Sequence, residues 1–103
     1  MTHYEIEVSK KVAKLLRQQK GKITNNDLRA LMMKEHSIHL SQIQMRRIIN
    51  YLRSEGLVKN LTADWEGYWI EKDKLKVLKY IKGLELRAKA IMNVATRMRK
   101  YAK

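Results

Sequence analysis

The sequence predicts a mainly α-helical protein with one small β-hairpin and a long C-terminal helix. Three observations carry this. Three amphipathic stretches precede Gly56, two of them opened by a capping residue. Two short runs rich in β-formers then flank a loop. Beyond Asp73 an apolar heptad continues unbroken to Ala102.

Ile6, Val8, Val12, Leu15 and Leu16 recur at near-helical spacing before Gly21, which predicts a first helix over about residues 5 to 19. Thr24 and Asp27 stand at capping-box spacing, with Ile23 and Leu28 in the positions of a hydrophobic staple. They open a second helix over about residues 25 to 35 that buries Leu28, Leu31 and Met32. Ser37-Ile38-His39-Leu40 alternates polar and apolar, as either a short strand or a connecting turn does. Ser41 is a natural N-cap for a third helix with Met45, Ile48, Ile49 and Leu52 on its inner side, and Gly56 ends it in the left-handed conformation. Extended runs at residues 57 to 61 and 67 to 70 flank Thr62-Ala63-Asp64-Trp65-Glu66, the pattern of a hairpin. Trp65 in that loop either stands exposed as a contact residue or folds back onto Tyr68.

From Asp73 onward Val77, Ile81, Leu84, Ala88, Ile91, Ala95, Met98 and Ala102 follow a 4-3 spacing. A helix of that extent is roughly 40 Å long at about 1.5 Å per residue. A small domain cannot bury such a stripe alone. The first heptad is expected against the domain and the remainder, Leu84, Ala88, Ile91, Ala95 and Met98, against a second copy in a homodimer. Gly83 inside it marks a close contact or a bend. The chain thus divides into residues 1–72 and a C-terminal heptad helix over residues 73–103.

Composition narrows the function. A hydrophobic fraction of 45% in 103 residues is enough for one folded domain with a modest core. The absence of cysteine excludes disulfides and thiolate metal sites and favours a reducing compartment; with no run of signal or membrane-spanning length, a soluble cytoplasmic protein is expected. Lys and Arg number 23 against 10 acids, giving a net charge of +13 and a pI near 10.2. That imbalance calls for an anionic partner: nucleic acid first, acidic protein surfaces or membranes after it. No glycine-rich phosphate loop, nucleophile elbow or paired acid and base is present, so no enzyme and no cofactor are expected. His36 and His39 have a ligand-like spacing, but Ser37 and Ile38 between them read as a helix end, and with His3 they define no metal site. The six methionines read as core filler.

The order helix, capped helix, short link, helix, Gly-Leu-Val, hairpin resembles the winged helix-turn-helix domain. The run from Leu40-Ser41 through Arg46-Arg47-Ile48 to Leu52-Arg53-Ser54-Glu55-Gly56-Leu57-Val58 is similar to the recognition helix and first wing strand of winged helix regulators. Gly67-Tyr68-Trp69-Ile70, with Tyr80-Ile81 and Leu86-Arg87-Ala88 beyond it, looks like small members common in bacteriophage and prophage genomes. The resemblance covers about residues 5 to 71. It implies a third helix in the major groove of double-stranded DNA, with the wing and the second-helix N-terminus on the backbone. By position it makes Ser41, Gln42, Gln44, Arg46, Arg47 and Asn50 base-contact candidates; Arg suits guanine, and Gln or Asn suits adenine. Thr24, Asn25, Asn26, Arg53, Lys59 and Asn60 become backbone-contact candidates.

One departure stands out. The wing tip is Asp64-Trp65-Glu66, where DNA-touching wings usually carry Arg or Lys. Residues 41 to 72 carry only +1, from five basic residues and four acids, whereas residues 73 to 103 carry +8, from ten and two. The implied function is a homodimeric, sequence-specific transcriptional regulator of a phage or mobile element. The alternative is a winged helix protein-interaction module, with a protein partner at the wing and only non-specific nucleic-acid binding.

Overall fold

The structure is a computed structural model that describes residues 1–102. The chain runs α1 (His3–Gln18), α2 (Asn25–His36), α3 (Gln42–Ser54), β1 (Leu61–Ala63), β2 (Tyr68–Ile70) and α4 (Lys74–Tyr101). It divides into two compact units, Met1–Lys72 and Asp73–Lys103.

Local chemistry starts each helix. Thr2 and Ser41 close complete capping boxes: the Thr2 hydroxyl accepts from Glu5 N, the Ser41 hydroxyl accepts from Gln44 N, and each N3 side chain accepts from its cap's backbone N–H. At α2 only half of the expected box forms. Thr24 Oγ1 accepts from Asp27 N, but the shorter Asp27 carboxylate makes no return bond. The staple residues Ile23 and Leu28 both lie in the core.

Helix ends are equally specific. Ser37 ends α2 in the left-handed conformation, with its N–H bonded to Met33 O, so residues 37 to 40 are a turn and not a strand. Gly56, at φ +66°, follows the α3 cap; Gly56 N donates to Arg53 O and Leu57 N to Leu52 O, a Schellman closure. That closure corrects the expected first strand. Residues 57 to 60 are spent on ending α3 and on a second left-handed residue, Asn60, so β1 begins only at Leu61. Thr62 and Ala63 accordingly belong to the strand and not to the loop.

α1 packs across α2 and α3, with β1 against α3 and β2 against α1. The core between them is one cluster in which Val12, Leu28, Met32 and Met45 are wholly excluded from solvent. Arg17 Nη2 donates to Leu57 O at 2.7 Å and fastens the end of α1 to the turn after α3. β1 and β2 pair antiparallel, Leu61 with Ile70 and Ala63 with Tyr68. Ile23 adds a bridge to the outer edge of β2, exchanging backbone bonds with Tyr68 at 2.9 and 2.8 Å.

α4, described by itself, starts at Asp73, whose carboxylate accepts from Leu75 N. None of its residues is fully buried. Val77, Leu84 and Ala95 on the heptad stripe are half-buried, while Ile91 and Met98 are exposed. Leu75 and Leu86 lie off the stripe and are also exposed. Among the described residues no helix is long and apolar enough to cross a membrane.

Two glycines separate packing from propensity. A Cβ at Gly67 falls against Ile23 O, within 2.8 Å of Ile23 C, whereas one at Gly83 meets nothing within 4 Å. Gly67→Ala is expected to destabilise the fold by about 1–3 kcal/mol, the range for overpacking. Gly83→Ala is expected to raise helix stability by about 1 kcal/mol. Urea unfolding of both variants checks this; an unperturbed midpoint for Gly67→Ala contradicts the close approach.

Candidate nucleic-acid interface

A helix turns about 100° per residue, so the inner stripe of Met45, Ile48, Ile49 and Leu52 fixes what α3 shows to solvent. The outward residues are Ile43, Arg46, Arg47 and Asn50, all exposed. Among the described residues neither Arg46 nor Arg47 forms an ion pair. Ser41 and Gln44 have a different task, since their side chains close the α3 capping box. Gln42 sits exposed at the first position of the helix, and its backbone carbonyl accepts from Asn25 Nδ2 at 3.4 Å. Asn50 Oδ1 accepts from Arg53 Nη2 at 2.8 Å, which leaves its amide group as the donor end.

The two neighbouring arginines diverge. Arg46 borders a hollow of about 200 Å³ shared with Ile49, Asn50, Ala63, Asp64 and Tyr68, so the α3 face and the hairpin form one concave surface. Arg47 borders a hollow of about 350 Å³ on the other side, lined also by Tyr4, Glu5, Val8, His39 and Leu40. Glu5 there is held below the usual carboxylate range, first by the Thr2 backbone N–H and hydroxyl and least by Arg47.

The α2 N-terminus is occupied by internal bonds. Thr24 is spent on its cap. Asn25 Nδ2 donates to Tyr68 Oη at 2.8 Å while its Oδ1 accepts from Arg29 Nε at 2.7 Å, and Arg29 Nη2 donates to Asn26 Oδ1. These asparagines position Arg29 and tie α2 to the hairpin; they present few unused groups to a phosphate. Lys59 and Asn60 are exposed, but in the turn before β1. Asn60 O accepts from Glu71 N and from Thr62 Oγ1.

The hairpin tip is braced from within. Asp64 Oδ1 accepts from Glu66 N at 2.8 Å and Gly67 N at 3.0 Å, while Oδ2 meets Lys22 Nζ at 2.7 Å. Lys22 also reaches Glu66 at 3.4 Å and lies 4.4 Å from the centre of the Trp69 ring. One cation thus meets both tip carboxylates and halves their charge, leaving a net −1 at the tip. Trp65 stands out from this frame at 92% exposure, so it does not fold onto Tyr68. Three contributors escaped the sequence reading. Ile43 was legible, because it falls off the inner stripe, whereas Lys22 lies more than 40 residues from its partners and Arg29 gave no local sign.

Comparison with family models, curated proteins and solved structures finds no match to this chain.

The brace carries a pH signature. The Lys22 hydrogen bond holds the Asp64 carboxyl below its ordinary value, and the Asp64 hydrogen bond in turn raises Lys22. A depressed carboxyl stabilises the fold above its unfolded pKa, about 3.9 for Asp, and that stability is lost as pH falls through the lowered folded value. The Glu66 and Gly67 amide resonances are therefore expected to titrate below about pH 3.9, and Lys22→Ala is expected to move that midpoint upward. A wild-type midpoint at the ordinary value removes the brace.

Proposed function

We propose that this chain binds double-stranded DNA through the exposed face of α3, as a member of the winged helix-turn-helix class that its sequence resembles. It works as a homodimer through α4, regulating transcription of a phage or mobile element in a bacterial or host cytoplasm. One observation carries the reading: among the described residues Arg46 and Arg47 on α3 form no ion pair, while Lys22 halves the charge of the nearby hairpin carboxylates. Phosphates approaching this surface therefore meet two arginines outside any ion pair on a chain of net charge +13. α3 is the right shape for a major groove, where Arg46, Arg47, Gln42 and the Asn50 amide offer hydrogen bonds to base edges. Ile43, 68% exposed between them, suits a thymine methyl.

Exposure of Trp65 favours a second reading, in which the hairpin tip docks a protein. The two separate by mutation. With duplex DNA followed by fluorescence anisotropy over about 50–300 mM salt, specific binding survives higher salt and non-specific binding collapses. Arg46→Ala is expected to weaken the preferred site by about 1–3 kcal/mol and relax one base preference. Unchanged affinity for Arg46→Ala, with function lost only in Trp65→Ala, transfers the reading to protein docking.

A further inference from the structure

The pairing of α4 with a second copy leaves its direction and register open, and this inference rests on that pairing. We infer that two copies of α4 pair antiparallel, with Ile91 of each helix against the partner's Ala95. On the stripe Leu84 and Ala95 are only half-buried, Ile91 is 61% and Met98 68% exposed, and beside them Met92 and Val94 are 63% and 57% exposed. Along the stripe Ala88, Ala95 and Ala102 alternate with Leu84, Ile91 and Met98. A parallel pair stacks like on like, so alanine layers too thin to fill the seam alternate with crowded layers of two large side chains. An antiparallel pair sets every alanine against a large residue: Leu84 on the partner's Ala102, Ala88 on the partner's Met98, Ile91 on the partner's Ala95. All layers then have nearly equal volume.

Charge selects the same register. Glu85 is the single carboxylate of α4. It lies at an e position, one residue past Leu84, and in this register it faces the partner's Arg99, once on each side of the two-fold axis. In a parallel pair Glu85 meets the partner's Tyr80, the g residue five positions before it, while Arg87 at the next g position meets the partner's Met92, so the one carboxylate finds no cation. Slipping the antiparallel pair by one heptad turns Glu85 toward the partner's Met92.

The register also separates the two helix starts. The two-fold axis passes near Asn93, so the two α4 N-termini stand about 60 Å apart at about 1.5 Å of rise per residue. The residues 1–72 of each copy are attached at these distant ends.

The chain has no cysteine, so single cysteines can be introduced and spin-labelled in the intact protein. Asn93→Cys and Lys79→Cys both lie on the face away from the seam. For the antiparallel pair the Lys79→Cys label distance is expected to exceed the Asn93→Cys distance by at least about 20 Å, from an axial offset of about 42 Å. Equal distances overturn the antiparallel direction. Glu85→Lys is expected to weaken dimerisation about tenfold, and adding Arg99→Glu is expected to restore it. Adding Arg97→Glu instead, equal in net charge but facing away, is expected not to restore it. Rescue by both, or by neither, overturns the register. Sedimentation that finds only monomer at about 100 µM overturns the pairing itself; a dimer with equal label distances overturns only its direction.

Discussion

The first unit depends on one short backbone contact, the bridge between Ile23 and Tyr68. A hairpin with three residues in each strand has little stability alone. Two backbone bonds from Ile23 give β2 a neighbour on its second edge and fasten it to the link between α1 and α2. Everything around the hairpin follows from that anchor. Lys22, one residue before, is carried to Asp64, Glu66 and the Trp69 ring. Thr24, one residue after, begins α2, and Asn25 then reaches the Tyr68 hydroxyl. A bridge of this kind demands a bare backbone opposite it, and Gly67 provides one.

The helices were legible because their signals are local. Caps, staples and apolar periodicity act within a turn or two, and their starts were read to within about two residues. Residues 57 to 60 misled for the opposite reason. Leu57-Val58 has strand-like composition, yet the Schellman closure behind Gly56 and the left-handed Asn60 use that backbone first. At the candidate interface the sequence revealed the outward arginines of α3 but not the tasks of their neighbours. Gln44 and Asn25 have side chains equally apt for adenine and for structure; only their positions beside Ser41 and Tyr68 assign them. The acid-bearing loop looked more hostile to phosphate than it is because the cation that halves its charge lies on the far side of two helices in sequence.

The two units meet different physical demands. Residues 1–72 build a closed core, with polar side chains repeatedly bonded to backbone at caps and turns. α4 has no buried residue and most of the net positive charge, and its heptad regularity is written in the sequence. A helix of this kind is held largely by what it meets, since most helical stability in proteins comes from packing of an apolar face.

Gly67 and Trp65 sit two positions apart under opposite constraints. Gly67 is locked by the backbone opposite it, while Trp65 touches almost nothing in its own chain. The hairpin is therefore a fixed socket with an exchangeable tip. Substitutions at position 65 can drift through chemistries without disturbing the frame, so closely similar frames can present different tips to different partners.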